Sequence, residues 1–232
     1  MRRVLSLAAL SLLAAVALIR DAGAHPGQGA PTWNREISRI VFDRCVSCHR
    51  PEGTAFPLLT YLDAQPRANE IKDAVLARRM PPWGAIKGFG QFRNDQSLSP
   101  EQIELIVRWV DSGIRRGNNP NQLPPVPKVT TAVGVAADAL SGNGVAVRGD
   151  GPLETAVVVD GLFIQSSASP ISARIWATLP SGASVPLVWL HDYRQAFAHP
   201  FLLQSPRRLP AGTRIHGLPP GATIRLTPPV RD

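Results

Sequence analysis

The stretch "DRCVSCHRPEG", residues 43–53, holds both cysteines of a 232-residue chain. Cys45 and Cys48 stand three positions apart, and His49 follows the second directly. Upstream, Thr32 reads as the N-cap of a helix whose apolar positions Trp33, Ile37, Ile40 and Val41 run into Cys45. Downstream, the pattern predicts a second helix over Pro66 to about Arg79, with Ile71, Ala74 and Val75 on one face and Met80-Pro81-Pro82 as the stop. A third is signalled by Ser99-Pro100-Glu101-Gln102, which supplies an N-cap, a proline at the first helical position and a capping-box partner. Ile103, Ile106, Val107, Val110 and Ile114 then form one stripe, and Gly117 is the expected end.

Four chemistries compete for the cysteine pair. A structural disulfide across two intervening residues closes so small a loop that it removes little entropy from the unfolded chain. A thioredoxin-like redox pair belongs at the start of a helix after a strand, where the helix dipole lowers a thiol pKa. Here a helix precedes the pair. A zinc site needs four ligands, and this region offers Cys45, Cys48 and His49. The fourth reading uses all three residues: the thiols add to the vinyl groups of a haem, and the histidine becomes an iron ligand.

Cys45-Val46-Ser47-Cys48-His49, followed by Met80-Pro81-Pro82-Trp83 and the "QSLSPEQIELIVRWVDSGI" segment, resembles the small monohaem c-type cytochromes of exported bacterial proteins over residues 32–117. The resemblance implies a mainly α N-terminal cytochrome c domain, residues 25–117, wrapped around one covalent haem c, with His49 and Met80 as axial ligands. Met80 is also the one methionine beyond the first residue. By the same resemblance the Pro57 carbonyl is the candidate acceptor for the other nitrogen of His49. Trp83, Tyr61 and Trp109 are candidates for the haem edge, with core packing as the alternative. Arg79 and Lys87 stand between contact with haem propionates and plain solvation. His/Met ligation raises the potential and fills both axial positions, which suits an electron carrier served by a redox partner protein. The alternative is a haem enzyme or gas or redox sensor with an open or displaceable sixth ligand.

Further out, "MRRVLSLAALSLLAAVALIRDAGA", residues 1–24, has the anatomy of a secretory signal: Arg2 and Arg3, an apolar run from Val4 to Ile19, and the small residues Ala22-Gly23-Ala24. The run is 16 residues, short of the ~20 that span a bilayer, so a periplasmic or otherwise exported protein with no stable membrane span is expected. Removing the signal takes the formal charge from +8 to +6, because Arg2, Arg3, Arg20 and Asp21 are lost. The arginines and lysines are scattered with no run longer than a pair, which argues against a nucleic-acid partner.

Residues 118–130 (NNPNQLPPVPKVT) read as a Pro/Asn-rich linker, and residues 131–232 as an all-β sandwich-like domain. Its runs include "ETAVVVD", "LFIQSSA", "ISARIWAT", "SVPLVWLH" and "ATIRLT". The stretch "ATLPSGASVPLVWLHDYRQAFAHPFLLQSPRRLPAGTRI" resembles the later part of copper type II ascorbate-dependent monooxygenase domains. That family implies a His-x-His pair and a methionine on copper; here Gln165 and Ser167 occupy the aligned positions, and no methionine follows Met80. Copper and oxygenase activity are therefore not carried over. His191, His199 and His216 remain as scattered histidines, and His25 follows the expected cleavage site.

Overall fold

A computed structural model of the chain describes residues 29–128 and 144–229. The expected signal, His25 and the last two residues of the expected linker lie outside the described residues. Among the described residues seven strands follow in order: β1 (Val145–Val147), β2 (Val157–Ser166), β3 (Ile171–Thr178), β4 (Ser184–Tyr193), β5 (Phe201–Leu209), β6 (Arg214–His216) and β7 (Ala222–Thr227). Their β-branched and aromatic content favours a pleated, half-buried surface. They form two antiparallel sheets, ordered β1-β7-β2-β5 and β4-β3-β6. One buried cluster joins them: Leu162, Ile164 and Phe201 from the first sheet meet Ile175, Leu190 and Ile215 from the second. Each such side chain contributes about 1.5–3 kcal/mol by leaving water.

Strand β2 is buried from Val159 to Phe163 and on to Ile164, as suits a central strand. Its Gly161 is required by close approach, since a Cβ there would stand 2.7 Å from Thr227 Oγ1. The register against β5 shifts at this point, between Val159 and Gly161.

The helices are short. A wide turn, Trp33–Ile37, is capped by the Thr32 hydroxyl, which accepts from the Arg35 amide, and leads into α1 (Ser38–Arg44). Thr60 and Asp63 form a capping box on α2 (Tyr61–Ala64); a 3-10 turn at Gln65–Arg67 then leads into α3 (Ala68–Leu76). The last, α4 (Pro100–Asp111), has its expected box: Ser99 and Gln102 satisfy each other's amides. These elements bury Trp33, Ile37, Val41, Ile106 and Trp109 in a second cluster.

The expectation of a mainly α N-terminal domain is corrected: the protein is mainly β. Among the described residues only α1, α3 and α4 reach seven residues, and strand residues outnumber α-helical ones. The expected helix over Pro66–Arg79 breaks because the Thr60 cap starts helical structure earlier, Pro66 falls in the 3-10 turn, and α3 stops at Leu76 before Arg78 turns to φ 53°. Helix α4 stops at Asp111 rather than near Gly117, because Gly113 at φ 99° takes the chain out of the helix. No helix among the described residues is long and apolar enough to cross a membrane.

Residues 83–95 bridge to the sheets rather than to the helices. Trp83 and Ala85 are buried in the sandwich cluster. Strands β4 and β5 are edge strands of different sheets, and this segment closes both. On β4, the Ile86 amide donates to the Trp189 carbonyl and the His191 amide to the Gly84 carbonyl, each at 2.8 Å. On β5, the Arg93 amide donates to the Leu202 carbonyl and the Gln204 amide to the Gln91 carbonyl. Arg93 then grips Asp160 of β2 through both terminal guanidinium nitrogens, at 3.0 and 2.7 Å. Trp83→Ala is therefore expected to cost about 3–5 kcal/mol in chemical denaturation, the range for emptying a buried aromatic site. A loss under about 1 kcal/mol would contradict the segment's place in the core.

Candidate functional site

Helix α1 delivers the cysteine pair. The Cys45 amide still donates to the Val41 carbonyl at 2.9 Å, and the Cys45 carbonyl then accepts from both Cys48 (3.2 Å) and His49 (3.0 Å). One turn thus carries all three residues. The chain reverses at once: the Ala55 amide returns to the Cys48 carbonyl at 3.2 Å, and the Leu58 amide to the His49 carbonyl at 3.0 Å. Gly53 makes this reversal possible, because a Cβ there would lie 2.0 Å from the Cys48 carbonyl oxygen.

The reversal aims a carbonyl at the imidazole. His49 Nδ1 lies 2.9 Å from the Phe56 oxygen. A carbonyl only accepts, so the bond places the proton on Nδ1 and leaves Nε2 with its lone pair. The expected acceptor, Pro57, is corrected by one residue: the Leu58–His49 backbone bond closes the loop so that Phe56, not Pro57, faces the ring. The Phe56 ring packs edge-on to His49 at 4.6 Å, and the Arg67 guanidinium lies 3.9 Å from the same Phe56 ring. Burial holds His49 below the usual imidazole range, against the Phe56 carbonyl, and the charge of Arg67 adds to the lowering. The ring is therefore a neutral nitrogen donor at pH 7.

Cys45 and Cys48 are free thiols. Burial, then the charges of Asp43 and Cys48, pushes the Cys45 thiol up to about 12, with Arg44 opposing. A thiol held protonated is a poor thiolate nucleophile, which disfavours the redox-pair reading. For a covalent haem the donor set fits on the histidine side. Two thiols share one turn with an imidazole whose Nδ1 is tied to a carbonyl, the arrangement that orients a ligating histidine.

The remaining expected site residues lie elsewhere. Met80 follows α3, its amide on the Ala74 carbonyl at 3.3 Å, and lines a cleft of about 200 Å³ with Arg78, Arg79, His191 and Arg194. His49 does not line that cleft. Trp83 turns away into the sandwich, stacked on His199 at 4.8 Å and 22° and edge-on to Phe201. Tyr61 and Trp109 are tied within the helical cluster, donating to the Ile114 and Arg115 carbonyls. Lys87 faces Asp95 at 3.7 Å.

His199, one of the scattered histidines of the sequence, is the buried partner of Trp83. Its Nδ1 meets the Phe197 carbonyl at 2.9 Å. No local pattern marks it; only the return of β5 to Trp83 creates the pair. His216 stacks on Trp176 at 5.3 Å, and His191 lines the Met80 cleft. Three histidines thus occupy three environments, and no group of three or more His, Cys, Asp or Glu residues able to hold a metal ion occurs among the described residues. Gln165 is exposed on β2, and Ser167 lies just past its end.

No protein-family model matches the chain, and neither a curated protein nor a solved structure matches it. What the chain can do is therefore argued from its own residues.

Burial lowers the His199 pKa, against the Phe197 and Trp83 carbonyls. In the unfolded chain the ring titrates near ~6.5. Between the lowered folded value and ~6.5 the unfolded state binds more protons, so stability is full above that range and declines as pH falls. Unfolding free energy measured from pH 8 to pH 5 should decrease, and His199→Phe should flatten the decrease; an unchanged slope in the variant would contradict the assignment.

Proposed function

We propose that this protein carries one covalently bound haem c at Cys45, Cys48 and His49 and passes electrons to a redox partner outside the cytoplasm. The observation that supports it most is the hydrogen bond from His49 Nδ1 to the Phe56 carbonyl, which leaves Nε2 free as a ligand. Cys45 and Cys48 provide two thioether positions on the same turn. When bound, the haem supplies a one-electron couple at iron. The protein's part is to fix the imidazole and to keep it neutral. The Phe56 carbonyl and the Gly53 reversal fix the ring, and burial keeps it neutral. The leader-like residues 1–24 support export. The β-sandwich is the part proposed to dock the partner.

Met80 is the proposed second axial ligand. A second reading, an iron with an open or displaceable sixth position, is favoured by one observation: Met80 lines a cleft with Arg78, Arg79 and His191 that His49 does not share. Carbon monoxide separates the two. Chain made together with haem-attachment machinery should show a ferrous spectrum indifferent to carbon monoxide, and Met80→Ala should make it sensitive and lower the potential. A prompt carbon monoxide shift in the unaltered protein would remove Met80 from the iron and leave the sensor or enzyme reading. Cys45→Ser with Cys48→Ser should abolish the haem spectrum altogether; retention of it would contradict attachment at these thiols.

A further inference from the structure

The chain holds five tryptophans. Trp33, Trp83 and Trp109 are buried, at 1, 4 and 0 % exposure. The other two, Trp176 on β3 and Trp189 on β4, are half-buried and share the outer face of the β4-β3-β6 sheet. Each stands between two core residues, Ile175 and Ala177 around Trp176, Val188 and Leu190 around Trp189, so both rings point away from the sandwich interior. Trp176 pairs with Pro186 on one side and His216 on the other, and Trp189 pairs with Arg174. Arg174 and Trp176 are two positions apart on β3, which makes the two groups neighbours on one surface.

These side chains are already packed on one another. The His216 ring stacks on Trp176 at 5.3 Å and 26°. The Arg174 guanidinium lies 4.2 Å from the Trp189 ring centre and 5.5 Å from that of Phe89 in residues 83–95, and it has no carboxylate partner among the described residues. Charge on the three strands is one-sided. Strands β3 and β6 carry no carboxylate, and the one on β4, Asp192, is engaged by Arg194 at 3.2 Å near the strand end. Cross-strand packing accounts for a ring or a cation at a single position. It does not account for a surface that gathers both half-buried tryptophans and leaves acidic residues out.

We infer that the outer face of the β4-β3-β6 sheet docks an acidic protein, with Trp176 and Trp189 as apolar anchors and Arg174 and Arg214 facing its carboxylates. Trp and Arg carry much of the binding energy at protein interfaces, and side chains packed in advance lose little freedom on docking. A sugar or a base stacks on an open ring face; here His216 covers one face of Trp176 and the Arg174 guanidinium one of Trp189. A second copy of the chain, with a formal charge of +8, would set like charges against each other. The inference deepens the proposed function and rests on it for one point, that the sandwich docks the partner; haem attachment is not required.

The test is fluorescence anisotropy of dye-labelled polymers titrated with the full chain at fixed ionic strength. The probes are poly-glutamate, a glutamate-tyrosine copolymer of equal charge, and polygalacturonate of equal charge. The copolymer should bind at least fivefold more tightly than poly-glutamate, because tyrosine supplies rings for the anchors. Trp176→Ala and Trp189→Ala should each remove that difference and leave poly-glutamate within twofold. Arg174→Gln, which keeps the rings, should weaken both polypeptides, while Arg207→Gln, which removes the same charge from β5 of the other sheet, should leave both within twofold. Thermal unfolding of each variant shows that the fold is retained. Equal affinity for the two polypeptides, an unchanged difference in the tryptophan variants, equal weakening by Arg207→Gln, or tighter binding of polygalacturonate than of the copolymer would each overturn the proposal. Anisotropy reports docking alone, so each of these outcomes is read separately from the mass of the attached group, which tests the haem.

Discussion

One hydrogen bond limits what residues 43–58 can be. The Phe56 carbonyl holds the Nδ1 proton of His49, and that choice of tautomer leaves the other nitrogen with its lone pair. The bond exists because the chain reverses within a few residues, and the reversal exists because Gly53 can pass within contact distance of the Cys48 carbonyl. A side chain at position 53 would push the loop open and move the carbonyl from the ring. Cys45 and Cys48 enter the same turn from α1, so the thiols and the imidazole are positioned by a single local fold and share its fate.

The larger frame is set by the sheets. Residues 83–95 lie along β4 and β5, edge strands of two different sheets, and pack Trp83 against His199. Edge closure removes rows of unpaired amides and carbonyls that would otherwise invite another strand. The Arg93–Asp160 pair adds a fork-to-carboxylate contact, with the carboxylate largely buried and the guanidinium partly exposed. Screening by water keeps that contact a modest contributor beside the packing of Trp83. Met80 lies just ahead of residues 83–95, between the end of α3 and Trp83.

Local signals were legible in the sequence and long-range ones were not. Ser99-Pro100-Glu101-Gln102 capped a helix as read, since a capping box closes within four residues. The runs "ISARIWAT" and "ATIRLT" coincide with β3 and β7, bounded by turn residues. The Cys45-Cys48-His49 turn was visible as a pattern, but the acceptor for His49 was placed one residue late, because a reversal's register depends on the backbone bonds around Gly53. The balance of the fold was misread for a similar reason. Trp83 after Met80-Pro81-Pro82 reads as a candidate for the haem edge or for core packing, while its partners, His199 and Phe201, lie more than a hundred residues away and show no periodicity in common with it.

The central proposal is chemical: that the chain holds a porphyrin through thioethers at Cys45 and Cys48, with His49 on its iron. Intact-mass spectrometry of chain produced with haem-attachment machinery tests it directly. The expected result is a polypeptide heavier by one haem that resists acid-acetone extraction, with the added mass on the peptide containing residues 45–49. A bare polypeptide, or one whose haem washes out, would contradict the account.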